Sequence, residues 1–438
     1  MKTRESSGTE RINDEERWYI LDIAAAFMPS LTDKLISFVF RVSATLDEPI
    51  HLKELTQAMA NLAARFPYFQ VELRHGFFWY YLQALTDRLP EPVADSKYPC
   101  LNMHVRRKGR FLYRVRPFRS RIAVEFCHVL SDGHGALTYL KALITEYLSL
   151  RGLDVSRVEG ILQPGQDIDP EEMEDALKRY GTQKLPPPDS ARKAFHFPSM
   201  RLRPGQYRII TGAIPLARAK ATAKEYGCTI SEFFVAVYLD CLQEMFYDLP
   251  RPIQRTMHPV LSIEVPVNMR RLFPSKTMRN FTLYVLSTLD TRLGIYEFEE
   301  ITKRVHFTMQ AELDKKNISR QIARNAAGGK NLLVRMLPLV LKGMVARFVF
   351  KHMGENTISG LFSNLGPVDL PEPVASRVRR FDSLPAPSRR FRTNANAISW
   401  KDTLYISFGS LATTTKLERL FFSRLTKMGI SVSIESNM

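Results

Sequence analysis

The sequence lacks most of the signatures from which a function is read at sight. Its four cysteines, Cys100, Cys127, Cys228 and Cys241, are scattered. No CxxC pair occurs, which argues against zinc ribbons and disulfide frameworks and leaves reduced thiols in a cytoplasmic protein as the plain reading. HExxH is absent, and with it the usual metalloprotease zinc site. GxSxG is absent, and with it the nucleophile elbow of a serine hydrolase. There is no low-complexity tract. The start, MKTRESSGTERINDEERW, has no apolar core segment, so no signal peptide is expected. The longest apolar region, Leu332 to Phe350, is interrupted by Arg335, Lys342 and Arg347 and contains Pro338. A spanning helix wants about 20 nearly uncharged residues. A buried or amphipathic helix is therefore expected there, with peripheral membrane contact as the functional alternative.

Acidic residues are also in short supply. Against 62 Lys and Arg stand 45 Asp and Glu, a formal net charge of +17. Such a charge attracts nucleic acid, an acidic membrane, a phosphate-bearing cosubstrate or an acidic protein, and does not choose among them. Arginine concentrates in His104 to Arg121 and in Arg377 to Arg392. A solvated strand face is the ordinary reading of each. Aromatic residues interleave with the arginines as a base-stacking platform would need, but no nucleic-acid-binding motif accompanies them, and no nucleic acid partner is expected.

What is present is a globular composition, 45% hydrophobic and 24% charged over 438 residues, long enough for two domains of ordinary size. Ile36 to Leu46 reads as a strand, and His51 to Phe66 as an amphipathic helix with Leu52, Leu55, Met59 and Leu62 near one face. Phe69 to Gln83 reads as a hairpin turning at His75-Gly76, and Phe111 to Phe126 as two strands. A proline- and acid-rich stretch with Pro186 to Pro188 marks the best boundary. This divides the chain into 1–165, a linker 166–205, and 206–438. The second part restarts with a strand at Tyr207. Thr229 and Glu232 have capping-box spacing ahead of a long apolar helix. Strands follow in VLSIEVPVNMR and FTLYVLSTLD, then helices over Glu297 to Asp314 and Leu332 to His352, a strand in DTLYISFGS and a terminal amphipathic helix. The similar order of elements in both parts predicts an α/β fold with two related halves.

The stretch EFCHVLSDGHGALTYL, Glu125 to Leu140, carries the chemistry worth weighing. His128 closes a buried strand, where active-site groups often sit. Cys127 and His128 are strand neighbours and point to opposite faces, which argues against a Cys–His dyad. Asp132 or Ser131 can cap the helix that follows, with Gly133 permitting an unusual backbone angle. A metal reading would use His128, Asp132 and His134, but no other His/Asp/Glu cluster supports it. By spacing alone the helix cap is favoured and a catalytic base stays open.

This motif resembles the HxxxDG signature of the chloramphenicol acetyltransferase-like superfamily, which includes alcohol acetyltransferases, plant BAHD acyltransferases, mycobacterial polyketide-associated acyltransferases and condensation domains of peptide synthetases. ERWYILDIAAAFMP, ARFPYFQVELRHGFFWYYL, VPVNMR and SNLGPVDLP fall in the order of the bacterial alcohol acetyltransferase-like branch, so the resemblance spans nearly the whole chain. Cys127 stands where condensation domains usually carry a further histidine, and the plant DFGWG motif is missing. The resemblance implies two similar subdomains, each a mixed sheet with flanking helices, and an active-site channel between them. It implies a thioester donor, acyl-CoA, used as cosubstrate with no tightly bound cofactor and no metal. The acceptor would be an alcohol or amine, and an acidic acyl carrier protein is the other donor. It casts His128 as general base, Asp132 as a structural residue paired with an arginine (Arg270, ending VPVNMR, is the candidate), and Gly133 as the residue that lets the backbone turn behind the histidine. Ser363 or Asn364 would serve the oxyanion, and a polar turn is the ordinary reading of that pair. One chain that supplies both halves implies a monomer.

Overall fold

The apolar, β-branched stretch after residue 36 forms the strand Val39–Leu46, buried along nearly its whole length. It pairs antiparallel with Arg121–Cys127, which pairs in turn with Tyr113–Phe118. In this computed structural model the described residues are 18–33, 36–156, 158–330 and 336–438. Residues 332–335 of the long apolar region, 1–17 of the start MKTRESSGTERINDEERW, and with them 16–17 of ERWYILDIAAAFMP, lie outside them.

The fourth strand of the first sheet arrives from far along the chain: Val378–Leu384 pairs antiparallel with Val39–Leu46. Part of the second arginine-rich stretch is thus a sheet strand, buried at Val378 and from Phe381 to Leu384. A smaller sheet holds Trp18–Ile20, Tyr80–Ala84 and Val71–His75, the last two forming the expected hairpin.

Seven strands build the other half, in the order Ser433–Ser436, Arg208–Pro215, Thr403–Ser410, Thr393–Trp400, Gly360–Pro367, Val260–Asn268, Thr282–Asp290. Gly360–Pro367 runs parallel to both neighbours, and the remaining pairs are antiparallel. The chain is therefore α/β in two halves, each a sheet with flanking helices.

Helix placement follows the apolar pattern. Gly133–Leu150 packs on Leu52–Ala63 and on the strands Val39–Leu46 and Arg121–Cys127. Ile230–Tyr247 is apolar on most faces and is buried against the seven-stranded sheet. Its start is fixed by the Thr229–Glu232 capping box, with Glu232 N donating to Thr229 Oγ1 at 3.3 Å and Thr229 N to Glu232 Oε2 at 2.8 Å.

The connecting stretch 166–205 is tied to both halves. Within it the turn Pro170–Met173 carries Glu172, which takes two bonds from the Arg65 guanidinium at 2.7 and 2.8 Å and one from Tyr68 Oη at 2.6 Å. Asp175, capping the short helix Ala176–Tyr180, accepts from Ile23 N at 3.0 Å.

Candidate active site

His128 follows directly on the strand Arg121–Cys127, and a buried ion cluster anchors that strand. Glu125, with no exposed surface, binds Arg41 at 2.7 Å, Arg114 at 2.5 Å and Arg116 at 3.2 Å. Asp95 holds Arg41 and Arg121 at 2.6 and 2.9 Å. A carboxylate without accessible surface is tolerable only with such compensation. The first arginine-rich stretch is paired in part: Arg114 and Arg116 turn inward onto Glu125, while Arg106, Arg107, Lys108, Arg110 and Arg119 stay exposed. The second is largely paired, Arg379 with Asp47 at 2.7 Å, Arg380 with Asp382 at 2.7 Å and Arg389 with Asp33 at 3.3 Å.

The His128 main chain is held at both ends. Its N–H donates to Phe38 O at 2.8 Å, and its carbonyl accepts from Asn280 Nδ2 at 2.8 Å. Phe38 sits at φ 51°, a left-handed conformation that costs a bulky residue energy and collects at functional sites. Phe40 lays its ring 4.4 Å from the imidazole at a tilt of 34°. His128 keeps part of its surface accessible while the surrounding protein desolvates it. Burial lowers its pKa below the ordinary 6.5, with the Asp132 charge, Asn280 and the Ser131 backbone acting the other way. The imidazole is thus neutral at neutral pH and able to accept a proton.

Asp132 is turned away from this space and is fully engaged. Its Oδ1 accepts from His134 N at 3.1 Å and Gly135 N at 3.3 Å, which caps the helix Gly133–Leu150. Its Oδ2 accepts from Arg270 Nη1 at 2.8 Å, Phe281 N at 2.9 Å and Thr282 Oγ1 at 3.2 Å. Burial alone would raise this carboxyl. Arg270 above all, with His134 and the Phe281 N–H, holds it below the usual carboxylate value. The helix cap and the arginine pair, two separate roles by sequence, are made by one side chain.

Arg270 lies in the single turn Met269–Arg271 just after the strand Val260–Asn268. Besides Asp132 it donates from Nη1 to Asn268 Oδ1 at 3.1 Å, from Nε and Nη2 to Thr277 O at 3.0 and 2.8 Å, and from Nη2 to Arg279 O at 2.7 Å. All five guanidinium hydrogens have acceptors. The loop that follows is thereby clamped onto the helix start of the other half.

The glycines of the motif exchange roles. Gly133 does not occupy the left-handed region, so the unusual backbone angle expected of it is not there. A Cβ on it would meet only Leu365 at 3.5 Å, an ordinary contact. Gly135 is the constrained one: a Cβ would stand 2.1 Å from Ser131 Oγ and 2.6 Å from Met278 O. Ser131 Oγ itself donates to Met278 O at 2.6 Å. Close packing of the helix start on the 278 loop therefore requires the absence of a side chain.

Ser363 and Asn364 lie on the strand Gly360–Pro367 rather than in a turn. Asn364 directs its Nδ2 to Ser231 Oγ at 2.9 Å, and its Oδ1 accepts from Gly366 N at 2.9 Å. Those bonds take its carbonyl oxygen and one of its two N–H groups. Ser363 projects from the opposite face of the strand, the face that also carries Leu365 against Gly133. His134 takes its place in the first helical turn, and no group of three or more metal-ligating side chains occurs among the described residues.

No protein-family model matches the sequence, and no curated protein matches it. Solved structures do. Polyketide synthase associated protein 5 from Mycobacterium tuberculosis superposes with a TM-score of 0.58 at 15% identity, over 94% of this chain and 97% of that one. TRI3 trichothecene 15-O-acetyltransferase from Fusarium sporotrichioides gives 0.59 at 11% identity, over 97% and 99%. The first condensation domain of the CDA synthetase gives 0.55 at 12%, over 93% and 96%. This chain has their fold. At such identities the likeness concerns architecture from end to end, and chemistry has to be argued from side chains.

Three site residues escape a reading of the sequence. Asn280 holds the His128 carbonyl and also donates to Asp22 Oδ2 at 3.0 Å. Asp22 is fully buried, and its Oδ1 accepts from Ala25 N at 2.8 Å. A lone acid inside the apolar run ILDIAAAF was the available signal, since a buried carboxyl needs partners. Glu264 is the third. On the strand Val260–Asn268 its neighbours Ile263 and Val265 enter the core, so Glu264 takes the opposite face, together with Leu361, with which it is in register. It keeps some accessible surface, yet burial pushes its carboxyl up to about 7.

Proposed function

We propose that the chain is an acyltransferase that moves an acyl group from a thioester, acyl-CoA, to an alcohol, with His128 as the general base. The observation that carries this reading is the His128 setting: a desolvated, neutral imidazole with accessible surface, fixed through its own backbone at the junction of the two halves, and an adjacent carboxylate committed elsewhere. The His128 ring accepts the hydroxyl proton as the alcohol oxygen attacks the thioester carbonyl. The tetrahedral adduct collapses, the carbon–sulfur bond breaks, and the imidazolium returns the proton to the leaving thiolate. Catalysis of this kind is worth about 10²–10⁴-fold. Asp132 and Arg270 position the strand–helix junction and take no proton. Ser363 is the side chain retained for the oxyanion, since it shares a strand face with Leu365 beside Gly133 while Asn364 turns to Ser231.

One feature supports a free acyl-CoA and an alcohol over a carrier-borne partner: Cys127 in place of a further histidine. The cytoplasm and a monomeric state belong to the same proposal. Incubating the chain with acyl-CoAs of graded length and a panel of alcohols should release free CoA, and His128→Ala should slow that release by at least about 100-fold. Equal release by His128→Ala would remove His128 from the mechanism. Tight binding of an acyl carrier with no turnover on any acceptor would replace the proposal with a non-catalytic or carrier-dependent one.

A further inference from the structure

Helix Leu339–Val349 is inside out. It buries Lys342 and Gly343 and turns Val340, Met344, Val345 and Phe348 outward, 54–76% exposed. Lys342 Nζ stands 3.4 Å from the centre of the Trp79 ring and donates to Phe78 O at 2.9 Å. Leu339 N donates to Phe77 O at 2.9 Å, and Arg347 Nε to Ser30 O at 2.9 Å. These bonds fix the helix on the tip of the hairpin, where Phe77 and Trp79 are themselves 70% and 45% exposed. A surface helix ordinarily does the reverse, with its polar stripe in water and its apolar stripe inward. An exposed apolar face continued by the aromatic tip of a second element marks a place that something apolar covers.

Charge identifies the cover. From Lys315 to Gly354 the sequence contains nine Lys and Arg and no Asp or Glu, and Arg347 and Lys351 are exposed. The helix has 11 residues, a length of about 16 Å, too short to cross a bilayer. No helix among the described residues is long and apolar enough to do so. An amphipathic helix with aliphatic and aromatic residues on its outer face and basic residues at its margins suits the membrane–water interface, where tryptophan also collects.

We infer that this face docks on the surface of an anionic lipid bilayer, with Leu339–Val349 lying in the plane of the interface and Phe77 and Trp79 inserted beside it. The inference does not depend on the acyl-transfer reading. It does place the candidate site close to the lipid: Phe350, the next residue, sets its ring 6.2 Å from Phe38, whose carbonyl holds the His128 N–H.

The test is flotation of the full chain with phosphatidylcholine vesicles, with and without phosphatidylserine, at low and high salt. Binding is expected with phosphatidylserine and should weaken as salt rises. Val345→Glu with Phe348→Glu should lower it at least about tenfold, because either apolar side chain contributes that much when buried. Lys351→Gln should lower it about fivefold at low salt. Equal thermal midpoints for parent and variants show that the fold is intact. Binding that ignores phosphatidylserine and salt, or that survives the double substitution, overturns the proposal. So does self-association abolished by that substitution in a chain that binds no vesicle, which would assign the face to a second copy.

Discussion

Neutralising Arg270 should unfold the chain more readily than its position after a strand end suggests. In Arg270→Met the unbranched apolar stem of the side chain is kept, but five donated hydrogen bonds are lost and Asp132 is left buried with no counterion. Breaking a buried pair from one side costs about 3–5 kcal/mol, a large part of the ~5–15 kcal/mol that holds a typical domain folded. Asp132→Asn should cost a similar amount. Its carboxamide turns N–H groups toward Arg270 Nη1 and Phe281 N, which are both donors, and strands the guanidinium. The double variant removes both charges at once. Its loss should therefore fall below the sum of the single losses by a coupling energy of about 0.5–3 kcal/mol. Urea unfolding midpoints of the four proteins at pH 7 measure the cycle, with unchanged slopes as the check that one transition is being compared. Single losses below about 1 kcal/mol, or strict additivity, would refute the view that this pair clamps the two halves together.

The same site yields three more expectations. Gly135→Ala should destabilise by about 1–3 kcal/mol or more, because its Cβ would overlap Ser131 and Met278, whereas Gly133→Ala should lower the urea midpoint little or not at all. Glu264→Gln should be neutral below pH 4.5 and stabilise by ~1–3 kcal/mol at pH 8. A carboxyl raised to about 7 favours the folded state only while protonated, and that contribution is lost as pH rises through 7; no pH-dependent gain would place Glu264 in water. CoA release should rise with pH along a limb whose midpoint lies below 6.5, since burial lowers His128. Asp132→Asn should move that midpoint lower still by removing a charge that favours the imidazolium, and a shift upward would contradict the assigned geometry.

Where local pattern and tertiary role agree, the sequence was readable: the His75-Gly76 hairpin, the Thr229–Glu232 cap, the strand–motif–helix unit and the terminal helix. It was opaque where they diverge. Thr393–Trp400 is buried throughout yet reads as polar, because Asn394 and Asn396 find acceptors in Ala386 O and Ser383 Oγ that no local pattern announces. SNLGPVDLP reads as a turn because Gly366 and Pro367 dominate it, although Ser363 and Asn364 continue a parallel strand in register with Asn396 and Ala397. The site divides in the same way. His128 and Asp132 stand out because the motif is contiguous. Asp22 and Asn280 meet across 258 residues, and Gly135 is constrained by the loop at Met278, so these three depend on contacts that exist only in the folded chain.

The strand Val378–Leu384 has a consequence for the newborn chain. Arg379 meets Asp47 across 332 residues. At about 5–20 residues per second that separation takes roughly 17–66 s to synthesise. During that interval Val39–Leu46, apolar and β-branched, presents an open edge to the cell's other unfinished chains, the kind of template that mature proteins cover. Chaperone demand in this protein should therefore concentrate on its earliest sheet, and a fragment released at the connector should aggregate through that edge while the full-length chain remains dispersed.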